Sequence, residues 1–169
     1  MPGEIHAVIG PNGAGKTTLV AQLSGELAPD DGTIRFAGAD VTRLSVPERS
    51  RRGLARSYQI TSVFRGLTAL ENVALAVQAH DGHSFRFWRA ARRDRGLVEP
   101  ARAILDEVGL AARAATIAAN LAHGEQRQLE IAMALAGRPR LLLLDEPMAG
   151  MGREESARMA ALLARLKGR

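Results

Sequence analysis

Gly10-Pro11-Asn12-Gly13-Ala14-Gly15-Lys16-Thr17 has the spacing G-x-x-x-x-G-K-[ST]. Each element of that spacing has a mechanical job. Glycines let the backbone curl until several N–H groups point inward at one anion. Lys16 is long enough to reach terminal phosphates, and the Thr17 hydroxyl can sit on a divalent cation. Ile5-His6-Ala7-Val8-Ile9 precedes the loop and reads as a buried strand. Leu19, Val20, Leu23 and Leu27 follow at helical spacing, so a helix is expected from Thr18 to Leu27, its positive end facing the anion. Strand, glycine loop and helix together form the setting that gives the pattern meaning, and its ligand is a polyphosphate.

Composition bounds the rest. A chain of 169 residues with 46% hydrophobic content suits one soluble domain. No apolar run approaches the ~20 residues needed to span a bilayer, and no leader pattern precedes the first strand. Without cysteine there are no disulfides or thiolate metal sites. A cytosolic location is the simplest inference. The net charge of +5 permits an anionic partner without requiring one. Arg86, Arg89, Arg92, Arg93 and Arg95, interleaved with Phe85, Phe87 and Trp88, read as a solvated helix face in preference to a phosphate or membrane surface. His80, Asp81 and His83 read as a polar turn in preference to a metal site.

Along the chain, Thr33–Phe36 alternates as a half-exposed strand, with turns at Asp30-Asp31-Gly32 and Gly38-Ala39-Asp40. Ser45-Val46-Pro47-Glu48 and Thr68-Ala69-Leu70-Glu71 both have capping-box spacing, the second opening a helix to about Gln78. Leu54–Ile60 reads as a strand. Glu99-Pro100 introduces a helix that buries Ile104, Leu105 and Val108 and closes at Gly109. Another helix begins at Gln126 and stops at Gly137 and Pro139. Leu141–Asp145 is a continuous apolar run ending in an acid, which is how a central parallel strand buried on both faces reads. A last helix spans about Arg153 to Lys167. Strands at both ends and helices in the middle indicate an α/β core with an inserted helical subdomain.

A phosphate loop alone does not hydrolyse a nucleotide. Something must hold the metal and something must activate water. Asp145, at the carboxyl end of its strand, is placed to hold Mg²⁺ through that ion's water shell. Glu146 follows and can act as general base.

Two further segments carry a resemblance. Leu121-Ala122-His123-Gly124-Glu125-Gln126 resembles the L-S-G-G-Q signature of ABC-type ATPases, and Gln59 in Ser57-Tyr58-Gln59 matches that family's Q-loop glutamine. The four motifs stand in the family's order. Ala55–Ile60, Gly66-Leu67-Thr68, Leu70–Val73, Gly124–Ile131 and Asp145–Met151 look like the ATPase subunits of branched-chain amino acid importers, with urea and amide importers as near relatives. The resemblance implies a P-loop NTPase (RecA-like) core over 1–58 and 137–169, with a helical subdomain over 59–136. It implies ATP and Mg²⁺ as ligands. Asn12, Gly13, Ala14, Gly15, Lys16, Thr17 and Thr18 would bind the phosphates. Thr17, Gln59 and Asp145 would serve the metal, and Glu146, Lys16 and Gln59 the catalysis. Ala122, His123, Gly124 and Glu125 would meet the γ-phosphate held by a second subunit, identical or paralogous, in a head-to-tail dimer. Membrane-spanning permease subunits would be the direct partners, an external solute-binding protein an indirect one. The chain would lie on the inner face of the cell membrane, with no nucleic acid expected. A soluble ABC ATPase acting on nucleic acid or ribosomes, and a non-catalytic fragment, are the alternatives.

The sequence departs from the family pattern in places. Ala122 replaces the signature serine, removing a hydrogen bond worth about 1.5–3 kcal/mol if charge-assisted. His123 replaces the first signature glycine, and Gly152 stands at the D-loop aspartate position. The family's adenine-stacking aromatic, upstream of the loop, and its switch histidine, beyond the last helix, have no counterpart. The chain therefore reads as a fragment cut at both ends or an incomplete gene product, expected to bind Mg-nucleotide weakly and turn it over slowly or not at all.

Overall fold

A computed structural model of the protein describes residues 3–57, 63–80 and 94–167. The phosphate loop runs directly into α1 (Lys16–Ser24), which stops earlier than the apolar spacing predicts. Gly25 ends it with φ 90°, its N–H bonding the Ala21 and Gln22 carbonyls. A two-residue hairpin follows. β1 (Arg35–Phe36) pairs antiparallel with β2 (Ala39–Asp40) around Ala37 and Gly38. Both loop residues have positive φ, the geometry that matches strand twist in such a short turn.

α2 (Val46–Arg51) starts at the expected capping box, where the Ser45 N–H donates to the Glu48 carboxylate at 2.8 Å. β3 (Leu54–Arg56) comes next. Arg49 of α2 is buried, and its guanidinium donates to the carbonyls of Gln22, Leu23, Thr42 and Leu44. Burial pushes its pKa below the ordinary arginine value. Four carbonyls around one cation tie the far end of α1 to the hairpin and α2.

The middle of the chain is helical. α3 (Ala69–His80) has both halves of its predicted capping box: Thr68 N–H donates to Glu71 and Glu71 N–H to the Thr68 hydroxyl. α4 (Arg95–Glu107) begins four residues before the predicted start, capped by the Asp94 carboxylate on the Gly96 N–H. α5 (His123–Leu135) also begins earlier than predicted. One apolar core runs through Val73 and Val77 of α3, Ala101 and Leu105 of α4, and Leu129 and Ala132 of α5. Met159 and Leu162 of α6 (Arg153–Leu166) extend it. Gly137, just past α5, lies so close to His80 that a Cβ there would stand 2.5 Å from the imidazole ring. A side chain at that position would require the exposed His80 ring to shift, and the glycine seats the end of α5 against the end of α3.

β4 (Leu141–Leu143) pairs parallel with β3, Leu54 opposite Leu141 and Arg56 opposite Leu143. Two expectations change here. β4 is parallel as predicted but not buried on both faces, since Leu141 is exposed. Ile5–Ile9 forms no ladder among the described residues, and Ile5, Val8 and Ile9 are 59, 56 and 91% exposed. The cause is shared: β3–β4 is a two-stranded sheet, so neither the free edge of β4 nor the segment before the loop has a neighbour among the described residues.

Candidate functional site

The loop preceding α1 is built to receive an anion. Gly13 and Gly15 both have φ above 80°, a backbone other residues adopt only with strain. The N–H groups of Gly13, Gly15, Lys16, Thr17 and Thr18 meet no acceptor among the described residues. Lys16 Nζ instead donates to the loop's own carbonyls, Gly10 at 2.8 Å and Pro11 at 2.9 Å. Asn12, Ala14, Thr17 and Thr18 are exposed around them. Unpaired amides and one ammonium around an open loop form an anion cradle.

The acidic half lies at the carboxyl end of the β3–β4 pair. Asp145 follows β4, is 6% exposed, and its Oδ2 accepts no hydrogen bond among the described residues. Its near neighbour is a guanidinium: Arg56 Nη2 stands 3.5 Å from Oδ2. A buried carboxylate oxygen without a hydrogen bond fits a hydrated divalent cation. Glu146 has φ 46°, unusual for a residue with a side chain, and is exposed. The chain turns sharply there, with Ala149 N–H bonding the Glu146 carbonyl at 3.0 Å, so the side chain projects from a strained turn. Because β3 and β4 are parallel, the residue leading toward Gln59 emerges beside Asp145, and the Ser57 N–H bonds Leu143 O at 2.9 Å. Gln59 itself lies outside the described residues, as do Asp81, His83, Arg86, Arg89, Arg92 and Arg93.

The first turn of α5 carries Ala122, His123, Gly124 and Glu125. Ala122 and His123 are exposed, and the N–H groups of His123, Gly124 and Glu125 have no acceptor among the described residues. Ala122 has no side-chain oxygen to cap them, so only half a capping box exists: the Glu125 carboxylate accepts the Ala122 N–H at 3.0 Å. Burial alone would raise the pKa of Glu125. The Ala122 N–H and the Arg113 guanidinium at 2.8 Å outweigh it and hold the carboxyl below its ordinary range. What Glu125 can offer a phosphate is therefore its backbone. A Cβ at Gly124 would lie 2.8 Å from the Glu155 carboxylate of α6, so a side chain there would require Glu155 to shift.

A sequence model described as ABC transporter matches residues 1–149. The chain belongs to the ABC transporter family. Among curated relatives, the high-affinity branched-chain amino acid transport ATP-binding protein BraF of Pseudomonas aeruginosa is 39% identical over 97% of this chain and 66% of its own length. LivG of Escherichia coli K12, which carries the same description, is 37% identical over 98% of this chain and 67% of its own. The solved ATP-binding cassette MJ1267 of an ABC transporter superposes with a TM-score of 0.85 at 27% identity, covering 99% of this chain and 67% of that one. The chain thus spans about two thirds of the length of these relatives. Its α/β P-loop fold follows from the match.

Within this ABC cassette, the sequence pointed to the loop and the acids as candidates but not to what connects them. Arg56 Nη1 donates to Glu26 at 2.6 Å and to the Ser24 hydroxyl at 3.2 Å, while its other arm faces Asp145. Ser24 ends α1 and Glu26 follows its glycine cap. One side chain therefore links the far end of the phosphate-loop helix to the buried acid. The available signal was an arginine on a short apolar strand, Leu54-Ala55-Arg56, where a charge is costly without partners.

Proposed function

We propose that this chain is the ATP-binding and ATP-hydrolysing subunit of an importer for branched-chain amino acids or a related small polar solute. The observation that carries the reading is the loop of unpaired amides around Lys16 in a chain that also presents an unbonded oxygen of buried Asp145. Similarity to BraF and LivG supports the choice of transport system. Core segments 1–58 and 137–169 around a helical unit, 59–136, form the working division.

The chemistry follows from the residues. The amides of Gly13 and of Gly15 to Thr18 bind phosphate oxygens, and Lys16 moves from the loop carbonyls to the terminal phosphates. Asn12 and Ala14 complete the loop's outer wall. Thr17, Gln59 and Asp145 would hold Mg²⁺, Asp145 through water; bound there, the ion neutralises charge on the transferred phosphoryl group. Glu146 accepts the proton of the attacking water. The first turn of α5, exposed at Ala122 and His123 and with unpaired amides at His123, Gly124 and Glu125, suits the γ-phosphate held by a second subunit, so ATP would join two cassettes head to tail. Peripheral attachment to the inner membrane face through permease subunits completes the assembly. Among the described residues no helix is long and apolar enough to cross a membrane.

The test is a titration of Mg-ATP against the chain and its Lys16→Ala variant. Loss of a charge-assisted contact predicts affinity weaker by roughly 10–150-fold. Equal affinities would mean the phosphate loop is idle and would overturn the reading. Glu146→Gln should retain binding while any hydrolysis falls by about 10²–10⁴-fold.

A further inference from the structure

Arg56 is shared between two carboxylates, one at each of its terminal nitrogens. Its Nη1 makes a 2.6 Å contact with Glu26 Oε2, short even for a charge-assisted bond, and a 3.2 Å contact with Ser24 Oγ. Its Nη2 lies 3.5 Å from Asp145 Oδ2, too far for a good hydrogen bond but within Coulomb range. The Arg56 and Asp145 side chains are 8 and 7% exposed, so the attraction is little screened, whereas Glu26 is 33% exposed. Asp145 therefore feels the charge of Arg56 without spending the oxygen that a hydrated cation needs.

We propose that Arg56 is the resident counter-cation of Asp145, a positioning residue that sets how much Mg²⁺ the nucleotide site requires. The proposal rests on the nucleotide reading above. Before metal arrives, Arg56 supplies the positive charge that a buried carboxylate demands. When a divalent cation approaches Asp145, it enters the field of that guanidinium and is opposed by it. Glu26 tempers the opposition, because its carboxylate offsets part of the charge on Arg56. Since Ser24 ends the helix that starts at the phosphate loop and Glu26 follows its glycine cap, the same contacts tie the metal acid to the nucleotide helix.

The two partners predict opposite effects. In Arg56→Gln the opposing charge is gone and Glu26 remains, so Mg²⁺ binds more readily. In Glu26→Gln the full charge of Arg56 faces the metal, so Mg²⁺ binds less readily. A merely structural role would weaken the site in both. The experiment measures binding of a fluorescent, non-hydrolysable ATP analogue to the wild-type chain and each variant across a Mg²⁺ titration. The half-saturating Mg²⁺ concentration is expected to fall about three- to tenfold in Arg56→Gln and to rise by a similar factor in Glu26→Gln. Midpoints that stay equal, or that move the same way in both variants, overturn the role of Arg56 while leaving the nucleotide site standing. A wild-type chain that binds no analogue at any Mg²⁺ concentration overturns the nucleotide reading and the proposal with it. Should Arg56→Gln fail to fold, the partly exposed Glu26→Gln carries the test by its sign: a rise supports the proposal, and no change or a fall overturns it.

Discussion

Asn72 shows how much one polar side chain can organise. It is fully buried in α3, and its Oδ1 accepts the Phe64 N–H at 2.7 Å. Its amide nitrogen donates to Phe64 O at 3.1 Å and Thr68 O at 2.9 Å. The loop that enters the helical lobe is thus pinned to the first turn of α3 by a group with no access to water. Asn72→Ala would remove these bonds from the partly buried Phe64 N–H and its carbonyl, and is expected to cost about 1–3 kcal/mol. Urea denaturation would measure it, and a loss below ~0.5 kcal/mol would show that the loop finds other partners. From sequence, Leu70-Glu71-Asn72-Val73 was legible as family wording; the mechanical reason for its asparagine was not. Local pattern marks Glu71 as a cap, since its partner Thr68 is three residues away. The partner of Asn72 at Phe64 is reached only once the chain has turned back. Arg56 was hidden for the same reason, its carboxylates lying 30 residues before and 89 residues after it in sequence.

At the scale of elements, helices opened by a capping box were readable to their first turn, as α2 and α3 show, whereas the starts of α4 and α5 were not. α4 is the clearest case. Glu99-Pro100 looks like a helix start because proline favours the first turn. The helix instead starts at Arg95 and runs through Pro100, giving up the hydrogen bond the missing N–H would have made. Buried Leu97 and Ala101 lie on either side of the proline, so packing against α3 and α5 holds a segment that propensity alone would break. α4 should therefore depend on its core contacts more than on its own turn. Leu105, fully buried among α3 and α5 residues, is the position that tests this. Leu105→Ala is expected to destabilise by about 2–5 kcal/mol, read from the thermal unfolding midpoint. A cost below ~1 kcal/mol would mean the cavity collapses and the helix is held elsewhere.

Across the whole molecule, burial is uneven. The continuous core belongs to α3, α4, α5 and α6, while the α/β part contributes the short β3–β4 pair, a hairpin and a loop rich in unpaired amides. The run Ile5–Ile9 encodes a strand's apolar side chains but not the strand that would sit beside it, and apolarity without a hydrogen-bonding neighbour gives no ladder. That is why the fold class was legible from the motif order, whereas the burial of the strand before the loop was not. The imbalance predicts a gradient in local stability. In hydrogen exchange, amides around Val73, Leu129 and Ile131 should exchange slowest, opening only with the helical lobe. Amides from Ile5 to Ile9, which make no ladder bond among the described residues, should exchange near the rate of unstructured peptide. Mg-ATP should then act on one stretch selectively. Amides of Gly13 and of Gly15 to Thr18 gain phosphate acceptors on binding and should slow, with little change at α4, which contributes no phosphate contact. Protection at residues 5–9 equal to that of α3 would contradict the uneven core. Exchange at residues 13–18 indifferent to Mg-ATP would show that those amides, although open, are not where the nucleotide is held.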